Sequence, residues 1–175
     1  MKSFSLPAMV VILVAASPSL SMADGQPPAP GAMRAEHEEI IQDLTRYAAQ
    51  GAPTAAAARN VLELMTPHLK REEELVFPLL ALLPDISEGR FSGDMTSAIA
   101  AADRLRAERD ALFDEHAEIQ AAVGELILAG QDTSEQGIVD LAGRIAAHAM
   151  SEIEIVEPAA VLVGDTVRRQ LAWSQ

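Results

Sequence analysis

The stretch HLKREEELVFP, residues 68–78, returns eighty residues later as HAMSEIEIVEP, residues 148–158. Aligned, the two share H-x-x-x-E-x-E-x-V-x-P. A histidine four positions before a glutamate puts both side chains on one helix face, one turn apart. The match extends upstream, because EHEEI (residues 36–40) recurs as EHAEI (residues 115–119), 79 residues on. Two similar helical hairpins account for both repeats, each with one histidine on its first helix and H-x-x-x-E on its second.

Working outward, the apolar periodicity and the breakers predict four helical stretches. The first spans about residues 32–50 and stops at Gly51-Ala52-Pro53. The second runs from about Thr54 to Leu83 and meets Pro84. The third starts near Ser92 or Asp94 and ends at Ala129, before Gly130. The fourth starts with Thr133 or Ser134 as N-cap and runs towards Leu171. Tight turns at 51–53 and 130–132 make the helices of each hairpin antiparallel neighbours, and residues 84–93 form a longer link. The fold class is therefore all-α, an antiparallel up-down four-helix bundle built from two similar helical hairpins.

The N-terminus reads as an address. Lys2 precedes an apolar core at Leu6–Ala16 that is short for a membrane span, and Ser21-Met22-Ala23 offers small residues for cleavage. We expect a signal peptide at 1–23, a Pro-rich linker at 24–31, the bundle at 32–175, and an exported, periplasmic protein. The competing expectation is an uncleaved anchor helix. Without cysteine, stability comes from the core or a bound ion, not from disulfides. A net charge of −13 and only 3 % aromatic residues argue against a nucleic-acid partner or an anionic membrane surface.

The faces carry the chemistry. Val61, Met65, His68, Glu72, Leu75, Leu79 and Leu82 follow 4-3-4-3 spacing on the second helix. Leu141, Ile145, His148, Glu152, Ile155, Ala159 and Leu162 follow it on the fourth. Met33, His37, Ile40, Leu44 and Tyr47 on the first helix match Leu112, His116, Ile119, Val123 and Leu126 on the third. All four histidines of the chain and two glutamates thus lie in apolar seams, where a carboxylate is costly unless paired or bound to a metal. Each histidine is fourteen residues from its turn, about 21 Å of helix rise, so both histidines of a hairpin share one level, and pseudo-twofold packing of the hairpins brings all six side chains to one depth. Four imidazoles and two carboxylates suit a pair of transition-metal ions, bridged by carboxylate. The nitrogen-rich set disfavours calcium and magnesium, and the absence of thiolate disfavours copper(I) and structural zinc. Two iron ions are the expected cofactor, ahead of zinc or manganese.

At these residues the chain resembles the hemerythrin-like, HHE cation-binding family. The resemblance covers about residues 32–165 and implies metal ligands at His37, His68, Glu72, His116, His148 and Glu152. The LVFP at 75–78 is similar to the family's usual continuation. The chain departs from oxygen-carrying hemerythrins, which place a second histidine where Gln120 stands and an aspartate where Ile153 stands. That departure implies a more open site, with two imidazoles per metal and both Glu72 and Glu152 bridging, and Glu73 is a candidate seventh ligand whose alternative reading is a solvated surface residue.

What the resemblance implies is a non-haem di-iron protein that binds or senses dioxygen or a related diatomic such as nitric oxide. The alternatives are a di-iron oxidase or peroxidase, a nitric-oxide-handling enzyme, or an extracytoplasmic iron store. Met33, Met65, Leu75 and Leu112 around the site are apolar, which puts binding ahead of catalysis. Glu36, Glu115, Glu74 and Glu154 are expected to be solvated, Pro78 and Pro158 to loosen their helices, Pro67 to bend its helix locally, Tyr47 to be core, and Trp173 to pack terminally.

Overall fold

A computed structural model describes residues 30–173. The signal-peptide reading lies outside the described residues, as does the linker apart from Pro30 and Gly31.

The first hairpin consists of α1 (Gly31–Ala48) and α2 (Ala55–Leu75), extended by two short helices, α3 (Phe77–Leu80) and α4 (Leu83–Ser87). The second consists of α5 (Thr96–Thr133) and a long rod of α6 (Gln136–Ser151), a π-helical turn (Glu152–Val156) and α7 (Glu157–Trp173). Among the described residues there is no strand. Helix α1 packs on α2, α2 on α5, α5 on both parts of the rod, and the rod's α6 returns to α1. That closed ring of neighbours is a four-helix bundle. The two turn regions meet at one end, where the Thr54 hydroxyl donates to Glu135 Oε2 at 3.1 Å.

Several boundaries differ from expectation. The second helix breaks after Leu75 instead of reaching Leu83, because Pro78 brings no N–H to continue the ladder. Pro67, by contrast, lies inside α2. The predicted link at 84–93 is partly helical, and it turns at Gly89 with φ +71°, the left-handed region glycine enters freely. Gly130 does not stop the third helix, which runs on to Thr133. Ser134 is not an N-cap; it closes α5 in the left-handed conformation at φ 59°. Gly130 serves close approach instead: a Cβ there would lie 2.8 Å from Ile138 Cγ2. Gly164 plays that part between α7 and α5, where a Cβ would meet Ala102 Cβ at 2.2 Å.

The core forms two apolar clusters. One, near the turns, includes Ile40, Leu44, Val61, Met65, Ile119, Leu126, Leu141 and Ile145. The other, towards the open end, includes Leu75, Phe77, Leu79, Leu105, Leu112, Val163 and Val167. Burying each such side chain stabilises the fold by about 1.5–3 kcal/mol. The histidine layer lies between them in sequence height.

The π turn sets the register of everything after it. The Glu157 N–H donates to the Glu152 carbonyl, five residues back, so the rod absorbs one extra residue. The expected seam Ile155–Ala159–Leu162 is therefore displaced by one. Ile155 is 64 % exposed and Leu162 58 %, while Glu157, Ala160, Val163 and Val167 are buried. Trp173, expected to pack, is 84 % exposed. Tyr47 is half-buried and packs against the first cluster.

Candidate metal centre

The structure brings all six predicted residues together, and each is buried: His37, His68, Glu72, His116, His148 and Glu152. They form two groups whose ligand atoms lie within 4.8 Å of one another, His37–Glu72–His148–Glu152 and His68–His116–Glu152. Glu152 belongs to both, whereas Glu72, expected to bridge as well, belongs to the first alone. The imidazoles pair across the hairpins: the rings of His37 and His148 are 5.1 Å apart, and those of His68 and His116 are 4.4 Å apart.

The inward nitrogens are all Nε2. Those of His37 and His148 face Glu152 Oε1 at 3.6 and 2.6 Å, and those of His68 and His116 face Oε2 at 3.7 and 3.2 Å. The His37 Nε2 also lies 3.6 Å from Glu72 Oε2. Among these buried atoms, Nε2 of His37, His68 and His148, both Glu72 oxygens and Glu152 Oε1 have no aligned hydrogen bond. The short His148–Glu152 approach is thus a contact without hydrogen-bond alignment. Buried unpartnered polar atoms are costly, on the order of 1–3 kcal/mol each, unless something takes their lone pairs. A cation does so, and the donor set fits one in each group.

The outward Nδ1 atoms are held by partners that the sequence reading missed. His37 Nδ1 meets Glu73 Oε1 at 3.3 Å, and Arg34 ties down Glu73 at 2.6 Å. His68 Nδ1 meets Glu115 Oε2 at 3.1 Å, with Arg71 paired to both Glu115 and Glu108. His148 Nδ1 lies 3.5 Å from Glu36 Oε2. His116 Nδ1 donates to the Leu112 carbonyl at 2.8 Å. Such outer partners fix the tautomer and aim Nε2 at the metal position. Glu36 and Glu115, expected to be merely solvated, instead reach from α1 and α5 to a histidine in the other hairpin. Glu73 contacts His37 from outside, which fits neither reading of it. Glu74 and Glu154 are exposed as expected.

Electrostatics agree with a site built for positive charge. Burial works against the Glu152 anion, yet the four surrounding imidazoles hold its carboxyl far below the usual range. Burial and the adjacent Glu152 push the Glu72 carboxyl up to about 11, so without a cation it keeps its proton. Burial opposes charging of His116 and His148, but Glu152 outweighs it and raises both.

A buried carboxyl that the sequence reading did not single out completes the picture. Glu157 is 5 % exposed, and its Oε1 lies 4.0 Å from His116 Nδ1. Burial, opposed by His116, leaves its carboxyl raised. Beside the apolar Met33, Met65, Leu75 and Leu112 expected around the site, the structure thus adds one buried carboxyl. The signal was present in the repeat: Glu157 stands where the first half has Phe77, which packs on His37 at 5.1 Å between ring centroids.

One recess of about 280 Å³ reaches the centre, lined by Met33, Glu36, Arg144, Ala147, His148, Ser151, Glu152 and Val156. It opens on the His148 group, and no His68 or His116 atom lines it.

A helical bundle with two buried histidine–carboxylate groups, joined by one glutamate, defines a cation-binding protein of the bundle-core type. The profile of the hemerythrin HHE cation binding domain matches residues 29–160, and the chain belongs to that family. No curated protein and no solved structure matches it.

Proposed function

We propose that this chain is an exported non-haem di-iron protein that binds or senses dioxygen or a related diatomic such as nitric oxide. His37, His148 and Glu72 hold one iron, His68 and His116 hold the other, and Glu152 joins them. The observation that carries this reading is the pair of buried histidine groups sharing one carboxylate. Bound iron supplies one-electron chemistry and coordination positions that the protein donors leave free. The nitrogen-rich donor set favours iron over manganese, and zinc would fill the same cage without redox chemistry.

The chain's own residues do the rest. Glu73, Glu115, Glu36 and the Leu112 carbonyl keep the Nε2 lone pairs aimed inward. The two apolar clusters keep water from approaching along the bundle axis. The recess beside His148 admits a small ligand from the α1–α6 face. Export rests on the Lys2, Leu6–Ala16 and Ser21-Met22-Ala23 pattern. Among the described residues no helix is long and apolar enough to cross a membrane.

The second reading, a di-iron oxidase, peroxidase or nitric-oxide-handling enzyme, is favoured by the size of the recess. At about 280 Å³ it exceeds a diatomic severalfold, since one water occupies only about 30 Å³ of liquid. Anaerobic ferrous loading, then oxygen exposure and removal, followed by visible absorption with iron counted per chain, separates the readings. Two irons and a reversible charge-transfer band support binding or sensing. Two irons with irreversible oxidation point to an enzyme or store, and no stoichiometric iron refutes the di-iron reading.

A further inference from the structure

We infer that Glu157 is a third carboxylate of this centre, acting through space from beside the outward nitrogen of His116 to strengthen the cation held by His68, His116 and Glu152; the inference rests on the two-metal reading above. The two positions are unequally furnished. The His37–His148 group has two carboxylates, Glu72 and Glu152, whereas the His68–His116 group has only the shared Glu152. Glu157 lies on the deficient side. Its Oε1 has no hydrogen-bond partner and sits 4.0 Å from Nδ1 of His116, on the side of the ring away from Nε2. It interacts electrostatically with His116, Glu152, Arg109 and His68, and also with Glu72. No aligned partner accounts for burying that oxygen, and a cation at His68 and His116 would add to Arg109 in offsetting the cost of its charge.

The backbone is arranged to deliver it. In an unbroken α-helix Glu157 would follow Glu152 by five residues and point about 140° away from it. The π turn takes up one residue, so Glu157 falls one turn beyond Glu152 on the inward face. The first half of the repeat has no such turn and uses Phe77 at this place, packed on His37. The pseudo-symmetric halves thus differ at this position, with a ring covering one histidine and a carboxyl beside its counterpart.

The test is an anaerobic cobalt(II) titration of the full chain, with Glu157→Gln and Glu157→Met as variants and Glu154→Gln, on the same turn but exposed, as control. Wild type and E154Q take two ions. Both Glu157 variants take the first ion normally and bind the second at least tenfold more weakly, while their metal-free forms unfold at or above the wild-type temperature. A folded Glu157 variant that takes both ions with wild-type affinities overturns the inference and leaves the two-metal reading standing. Wild type that takes fewer than two ions overturns both.

Discussion

Glu152 and Glu72 occupy matching places in the repeat, yet the structure assigns them unequal work, and removing their charges one at a time exposes the difference. Glu152 faces all four imidazoles, at 2.6–3.7 Å, and belongs to both groups. Glu72 belongs to one. A unit charge about 4 Å from another at an effective dielectric of 20 interacts by about 4 kcal/mol, close to 1,000-fold in affinity. Glu152→Gln keeps the shape and removes that charge from both positions, so both ions weaken by 10²- to 10³-fold. Glu72→Gln weakens only the ion at His37 and His148, leaving one ion per chain at wild-type affinity. Competition titrations against a chelator of known affinity, with metal counted per chain and circular dichroism confirming the helices, read both effects. The reasoning is refuted if E72Q loses both ions, or if E152Q retains either at wild-type affinity.

Other outcomes follow from packing, access and protonation. Gly164→Ala places a methyl 2.2 Å from Ala102 Cβ and 3.0 Å from the Ala98 carbonyl, forcing α7 from α5 at a cost of about 1–3 kcal/mol, measurable by thermal unfolding. Ala147→Phe narrows the mouth of the recess, so azide binds the iron-loaded protein more slowly while iron content is unchanged. The metal-free protein loses stability as pH rises from 5 to 8. Folded Glu72, at about 11, keeps a proton that the unfolded chain releases above 4.5. Raised His116 and His148 act in the same sense, their contribution being full below about 6.5 and lost as pH climbs through their folded values. Between pH 5 and 7 the Glu72 effect is on the order of 2 kcal/mol. Denaturant unfolding of chelator-treated protein reads it, and stability that rises over that interval contradicts the account.

The convergence of six side chains was legible because helical period and turn position are both local properties. Counting fourteen residues from each expected turn to each histidine, with the hairpins packed about a pseudo-twofold axis, placed His37, His68, His116 and His148 at one level, although the second turn lies at 134–135 and not at Gly130. The seam beyond Glu152 was not legible, because a single π turn shifts it by one residue and nothing in the period of EIEIVEP announces that turn. Ile155 and Leu162 therefore moved outward and Glu157 inward. Ser134 misled as a cap because serine also tolerates the left-handed turn that ends α5 there. The roles of Glu36 and Glu115 depend on which helices become neighbours. A glutamate pointing away from its own seam reads as solvated until the adjacent helix brings a histidine to it.

The most direct measurement of the central claim is anomalous diffraction at the iron edge from crystals of the iron-loaded protein. The account predicts two peaks, one among His37, Glu72, His148 and Glu152 and the other among His68, His116 and Glu152. A single peak, or iron bound away from these side chains, contradicts it.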